Sequence, residues 1–354
     1  MKKILYLMGI DWYWIKQRPQ ILAEYLAKDY EVTVVYLKEV FCKQELRKDK
    51  DELEKSYAIP AIPYRDKNIL VHVVQKSFFY KIMKKADEYD IIWVGQPLLY
   101  NYIPSTYRGK IIYDCMDNHE ALCSDSKIKK VIHKTEIELG KRADTIFASS
   151  MGLCSKMQAV GGMEKVILIR NGFVFDKIYP PLQVSSNDNI GLKIGYFGTI
   201  AEWFDFSLLM RSLERFPDLE YYLWGPISGI ELPKHPRLKI KGVIEHNKLW
   251  ENVKNMDALI MPFKVNDIIK DVDPVKLYEY ISMGKPIISI KYKEIVRFEK
   301  FTFFYDNYEE YLRILKEMLN HKIGSKYDVI EQHEFLHLNS WDNRYKRIKE
   351  YLAI

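Results

Sequence analysis

Two doubly wound α/β halves are what the sequence predicts, each a mainly parallel sheet flanked by helices. Three observations carry this. Short apolar runs of strand length alternate with longer amphipathic stretches along the chain. The pattern starts afresh at Leu192, after a polar, breaker-rich run from Tyr179 to Asn189 that reads as a linker. The 354 residues suffice for two cores of ordinary size.

Taken in order, Ile4–Met8 reads as a buried parallel strand, because an apolar run without alternation fits a sheet covered on both faces. The loop Gly9–Trp14 follows, then a helix through Arg18 to Lys28, then the strand Glu31–Leu37. No G-x-G-x-x-G follows the first strand, which argues against a nicotinamide dinucleotide. Residues 38–68 read as irregular with room for one helix, Ile69–Val74 as a short strand and Phe78–Tyr89 as a basic, aromatic helix. Further strands are expected at Asp90–Val94, Lys110–Tyr113, Thr145–Ala148 and Lys165–Ile169. A long helix near Ser126–Arg142 should carry several lysines. The second half should hold strands at Leu192–Phe197, Glu220–Leu223, Leu238–Lys241, Asp257–Met261 and Pro286–Ile290. Helices should begin near Asp205, His246 and Asn307, with a last one at Ser340–Leu352.

Composition is globular, at 48% apolar and 29% charged residues. Charge is uneven: residues 1–180 carry 29 Lys and Arg against 23 Asp and Glu, while the rest carries 25 of each. A basic first half fits an anionic membrane surface or an anionic acceptor, and equally a solvated lysine surface. No nucleic-acid recognition motif accompanies it. Cys42, Cys115, Cys123 and Cys154 form no CxxC pair and read as reduced thiols of a cytosolic protein. No run of 18 apolar residues exists to span a membrane.

The stretch Asp271–Pro286 is the most informative. Asp273 fits an N-cap, Pro274 a first helical position and Gly284 a stop. Lys276 and Glu279 then share a face near a helix N-terminus, where free N–H groups favour phosphate. A phosphate beside a polyol is the site this suggests, although a capped surface helix has the same pattern. In the first half, Asp114, Asp117 and His119 follow a strand and stand where parallel sheets present acid–base groups, or one aspartate braces the loop.

Tyr113-Asp114-Cys115-Met116-Asp117, Arg170-Asn171-Gly172, Gly195-Tyr196-Phe197-Gly198-Thr199 and Lys241-Gly242-Val243-Ile244 join Asp273–Tyr280 in a known pattern. With these residues the chain resembles sugar-nucleotide-dependent glycosyltransferases of the GT-B fold, most of all cell-envelope members related to glycosyltransferase family 4, including teichuronic-acid types. The resemblance implies two Rossmann-like domains facing a central cleft. They would be residues 1–180 plus about 338–354, holding the acceptor, and residues 181–337, holding the donor. The last helix would cross back to the first domain.

The resemblance further implies that Glu279 holds the ribose, Lys276 the diphosphate, Gly242, Val243 and Ile244 the base, and that Gly198 and Thr199 lie by the phosphates. Gly9, Trp12, Arg18 and His119 are the acceptor-side candidates. Retaining members place a Glu eight residues before the second Glu; here that residue is Asp271, and the basic residue usual after the Gly198 loop is missing. Inverting xanthan glucuronosyltransferases carry a catalytic Asp placed like Asp117. Inversion and retention therefore both stay open, with Asp117 and Asp271 as the catalytic candidates. The resemblance implies no cofactor and no metal for nucleotide binding, although Asp271-Val272-Asp273 also reads as a metal-binding D-x-D. The expected function is transfer of a sugar, from a UDP donor by resemblance, to a lipid-linked or polysaccharide acceptor at the cytoplasmic membrane face. A GT-B epimerase and an inactive scaffold are the alternatives.

Overall fold

The computed structural model describes residues 1–39, 55–174, 177–182, 191–245, 248–320 and 323–352. Cys42, most of the helix allowed within 38–68 and residues 183–189 of the expected linker lie outside these residues. Two compact units emerge: residues 1–170 with 345–354, and residues 171–344.

Among the described residues, the first unit holds a parallel sheet of seven strands: β1 (Lys3–Met8), β2 (Glu31–Glu39), β3 (Ser56–Ala61), β4 (Ile91–Val94), β5 (Lys110–Cys115), β6 (Thr145–Ala148) and β7 (Val166–Leu168). Their spatial order is β3-β2-β1-β4-β5-β6-β7. The order reverses direction between β1 and β4, which makes the carboxyl ends of those two strands the switch point where doubly wound folds bind ligands. Every residue of β4 is buried, as the unbroken apolar run requires.

Two local expectations fail here. Ile69–Val74 is not a strand; it begins a fifteen-residue helix, Ile69–Met83, that takes in the first half of the helix expected at Phe78–Tyr89 and ends at Met83. The β-branched run suggested a strand, but Asn68 caps the N–H groups of Leu70 and Val71, and Gln75, Phe79 and Met83 form a buried row at helical spacing. Gln75 is locked between Pro60 O and Ile62 N, and Phe79 stacks on Tyr102 with ring centroids 4.1 Å apart. The strand β3 was missed because it contains Pro60. It lies at the sheet edge, where a proline costs no ladder bond.

Among the described residues, the second unit holds six parallel strands: β8 (Leu192–Phe197), β9 (Leu219–Trp224), β10 (Leu238–Gly242), β11 (Ala258–Met261), β12 (Ile287–Ile290) and β13 (Thr302–Tyr305). Their order is β10-β9-β8-β11-β12-β13, so the switch point lies between β8 and β11. The edge strand β13, with buried Thr302 and Tyr305 flanking two half-buried phenylalanines, had no expectation attached. The helix at Asn307 forms as expected, although Glu310 reaches back to the Asp306 N–H rather than to the cap itself.

The division falls at residue 170, about ten residues before the expected linker. Tyr179 N–H bonds to Ser282 O at 2.8 Å and Leu182 N–H to Gly284 O at 2.6 Å, so this described part of the polar run is strapped onto the second unit. The helix Trp341–Leu352 begins in the second unit and ends in the first. There Tyr345 donates to Asp29 at 2.8 Å and packs on Tyr25, with Tyr351 edge-on to Phe147.

Candidate functional site

In the second unit the donor-side candidates gather at the carboxyl ends of the strands. Gly198 follows β8, Gly225 follows β9 and Gly242 ends β10. The helix Val275–Ser282 follows β11 after a short 3-10 turn, so Gly198 and Lys276 sit at the switch point.

Gly198 has φ +140°, and a Cβ built there would stand 1.7 Å from Lys276 Cε and 2.5 Å from Nζ. The lysine side chain therefore lies across bare backbone. Gly225, also at φ +140°, lets its own backbone pass under Gly198, whose carbonyl oxygen would be 2.0 Å from a Cβ. Both positions need glycine for space and for conformation. The Thr199 carbonyl accepts the Tyr196 hydroxyl at 2.7 Å, and the Gly242 carbonyl accepts the Gly225 N–H at 2.8 Å. Val243 is exposed, with Ile244 packed partly on the core. Gly198→Ala is expected to displace the lysine and strain the loop. Stability should fall by about 1–3 kcal/mol, which urea unfolding checks.

Asp273 does not cap the helix. Its carboxylate is fully buried in an ion pair with Arg297, receives the Tyr278 hydroxyl at 3.2 Å and accepts the Asn171 N–H at 2.8 Å. Asn171 Nδ2 in turn donates to Asp273 O at 2.7 Å. The Asn171 of the Arg-Asn-Gly motif thus braces the entry to the helix. The helix has no side-chain cap, and its free N–H groups stay available to an anion. The same contacts commit one carboxylate of the D-x-D to Arg297. Asp271 ends the short turn Ile269–Asp271, half-buried, and Glu279 is half-buried one turn after Lys276.

In the first unit, two acceptor-side expectations are corrected. Trp12 is fully buried and is core. Arg18, 4% exposed, grips Asp114 through Nε at 3.0 Å and NH2 at 2.7 Å, and donates NH1 to Ile169 O at 2.7 Å. Neither side chain is open to an acceptor, and the bracing reading of Asp114 holds. Gly9 does stand at the switch point, where an added Cβ would meet Gln96 Cβ at 2.6 Å. Gln96, not singled out from sequence, has a buried Oε1 without a hydrogen-bond partner among the described residues.

Asp117 is half-buried beyond β5. Burial pushes its carboxyl up to about 6, with Arg18 opposing and Asp114 adding to the rise. Burial likewise pushes the His119 imidazole down to about 4, so it is neutral at pH 7. His119 Nε2 is buried without a partner among the described residues.

The Asp117 loop rests on a network that sequence alone could not assemble. Lys156 pairs with Glu136 at 2.6 Å and donates to Asn118 Oδ1 at 3.3 Å. Tyr113 donates to the other oxygen of Glu136, and Ser149 donates to Met116 O, both at 2.7 Å.

Comparison with known proteins follows the same lines. No protein-family model matches the chain. A candidate teichuronic acid biosynthesis glycosyltransferase of Bacillus subtilis is 24% identical over 285 residues, 73% of this chain and 70% of that protein. Among solved structures, the lipopolysaccharide outer core galactosyltransferase WaaB superposes with a TM-score of 0.67 at 15% identity, covering 99% of both chains. HepE of Anabaena, in complex with UDP-glucose, superposes with a TM-score of 0.68 at 16% identity over 100% of both chains.

Proposed function

We propose, from the GT-B fold that this chain has, that it moves a sugar from a nucleotide-sugar donor to a glycan or lipid-linked acceptor in envelope polysaccharide synthesis. UDP is the nucleotide, as in the HepE complex. The observation that carries the reading is Lys276 laid across Gly198 at the switch point, at the uncapped start of a helix that presents Glu279 one turn later.

Lys276, the Gly198-Thr199 backbone and the helix N–H groups meet the diphosphate; Glu279 takes the ribose hydroxyls; the Gly242-Val243-Ile244 edge takes the base. Asp117 accepts the proton of the acceptor hydroxyl as its oxygen attacks the anomeric carbon. The bond from that carbon to the phosphate oxygen breaks, and the nucleoside diphosphate leaves with its new charge facing Lys276. This is an inverting displacement, and Asp271 is left as a carboxylate toward the donor sugar. No metal is needed for nucleotide binding. The acceptor is met at the anionic cytoplasmic membrane surface, which the basic first half supports.

UDP and UDP-sugars should raise the melting temperature more than GDP, CMP or dTDP do, and should still do so in chelator. Lys276→Ala should weaken UDP binding about 10- to 100-fold, the loss of a charged hydrogen bond. Equal shifts with all nucleotides, or strict manganese dependence, would overturn the assignment. Conversion of UDP-N-acetylglucosamine to its epimer, without transfer, would favour the epimerase reading.

A further inference from the structure

The helix Ile69–Met83 hides its row of Gln75, Phe79 and Met83 but leaves Ile69, Leu70, Val73, Val74, Phe78 and Tyr80 exposed, Ile69 and Leu70 by more than 70%. Ile69 with Val73, and Leu70 with Val74, make two adjoining rows one turn apart. So large an exposed apolar face on one helix marks a contact surface rather than scattered surface residues. Charge says what kind. From Lys67 to Lys85 the sequence contains no Asp or Glu, while Lys76 and Lys81 on the helix and Lys84 and Lys85 just past its end are all exposed, with Lys85 3.9 Å from Glu88. Apolar residues beside a lysine rim fit the headgroup and acyl boundary of an anionic bilayer, with the lysine stems reaching the headgroups. Among the described residues no helix is long and apolar enough to cross a membrane.

The face is joined to the chemistry of its own unit. Lys67, just before the helix, pairs with Asp125 at 2.5 Å. Asp125 caps the helix Ser126–Arg142, and the eight residues before it run back through the exposed Leu122 to Asp117.

We infer that the exposed face of Ile69–Met83, with its lysine rim, docks this chain on anionic lipid and thereby sets the Asp117 loop at the membrane surface. The inference rests on the reading of a lipid-linked acceptor and gives it a location: the acceptor hydroxyl is read at the headgroup level.

The test uses the full chain with phosphatidylglycerol-containing and pure phosphatidylcholine vesicles, without nucleotide. Binding should be at least tenfold tighter to the anionic vesicles and should fall with added salt. Leu70→Asp with Val74→Asp should lower it at least tenfold. Lys81→Ala, Lys84→Ala and Lys85→Ala together should remove the preference for anionic lipid. Both variants change only exposed positions, and unchanged melting temperature and UDP affinity will show that fold and donor site are intact. Undiminished vesicle binding by the aspartate variant would overturn the proposal. So would a concentration-dependent dimer abolished by that variant, since a second copy would then be the occupant. UDP binding without vesicle binding would remove the docking surface and leave the transferase reading standing.

Discussion

Asp117→Asn is expected to lower kcat about 100- to 10,000-fold, the range that general-base catalysis contributes, with UDP affinity unchanged. The substitution keeps the size of the side chain and removes its basicity. The pH profile sharpens the test. Burial holds the folded Asp117 carboxyl at about 6, above its ordinary value, so it is protonated and inactive as a base below that pH. Transfer should therefore rise as pH increases through about 6 and level off above it. The Asn variant should lose that limb along with the rate. Full turnover by Asp117→Asn would sink the base assignment, whatever Lys276→Ala does.

The second large effect concerns stability. Arg18→Ala should cost about 3–5 kcal/mol, as expected when one partner of a buried ion pair is removed and the other stays buried. Both side chains are almost wholly inaccessible, at 3% for Arg18 and 0% for Asp114, so solvent cannot rescue the carboxylate. The Ile169 carbonyl loses its donor as well. Urea unfolding should show a lower midpoint. The double variant Arg18→Leu, Asp114→Leu should recover much of the loss, because two apolar residues leave no orphaned charge. A loss below about 1 kcal/mol, the worth of an exposed pair, would mean that the pair is not buried in solution.

These two aspartates show how far the sequence could be read. Asp114 lies near the end of β5 and Asp117 just beyond it, and the position of that strand was legible because its apolar run is continuous. What separates them is an arginine ninety-six residues away, which takes Asp114 out of play. No local pattern announces such a partner. Asp273 misled for the same reason: its cap-like spacing is real, but Arg297 and Asn171 claim the carboxylate. Trp12 was read as a loop aromatic and is core. The strands of both sheets were largely legible, whereas Ile69–Val74 was not, since valines favour strands until a buried partner row imposes helical spacing. Lys276 over Gly198 lay between these cases. The missing cation in the glycine loop hinted that a lysine had to come from elsewhere, and the helix after β11 supplies it.

The shared helix Trp341–Leu352 bears on how the chain is made. The second unit is one unbroken stretch, residues 171–344, whereas the first needs Tyr345 and the residues after it. During synthesis, domains generally fold as they emerge, the N-terminal one first. Here that order is inverted in its last step: the unit that begins first is completed last. Until the residues from Tyr345 onward leave the ribosome, Asp29 and the Tyr25 ring lack Tyr345 and the Phe147 ring lacks Tyr351. A released chain truncated just before Tyr345 should thus resist protease in residues 171–344 and yield in residues 1–170.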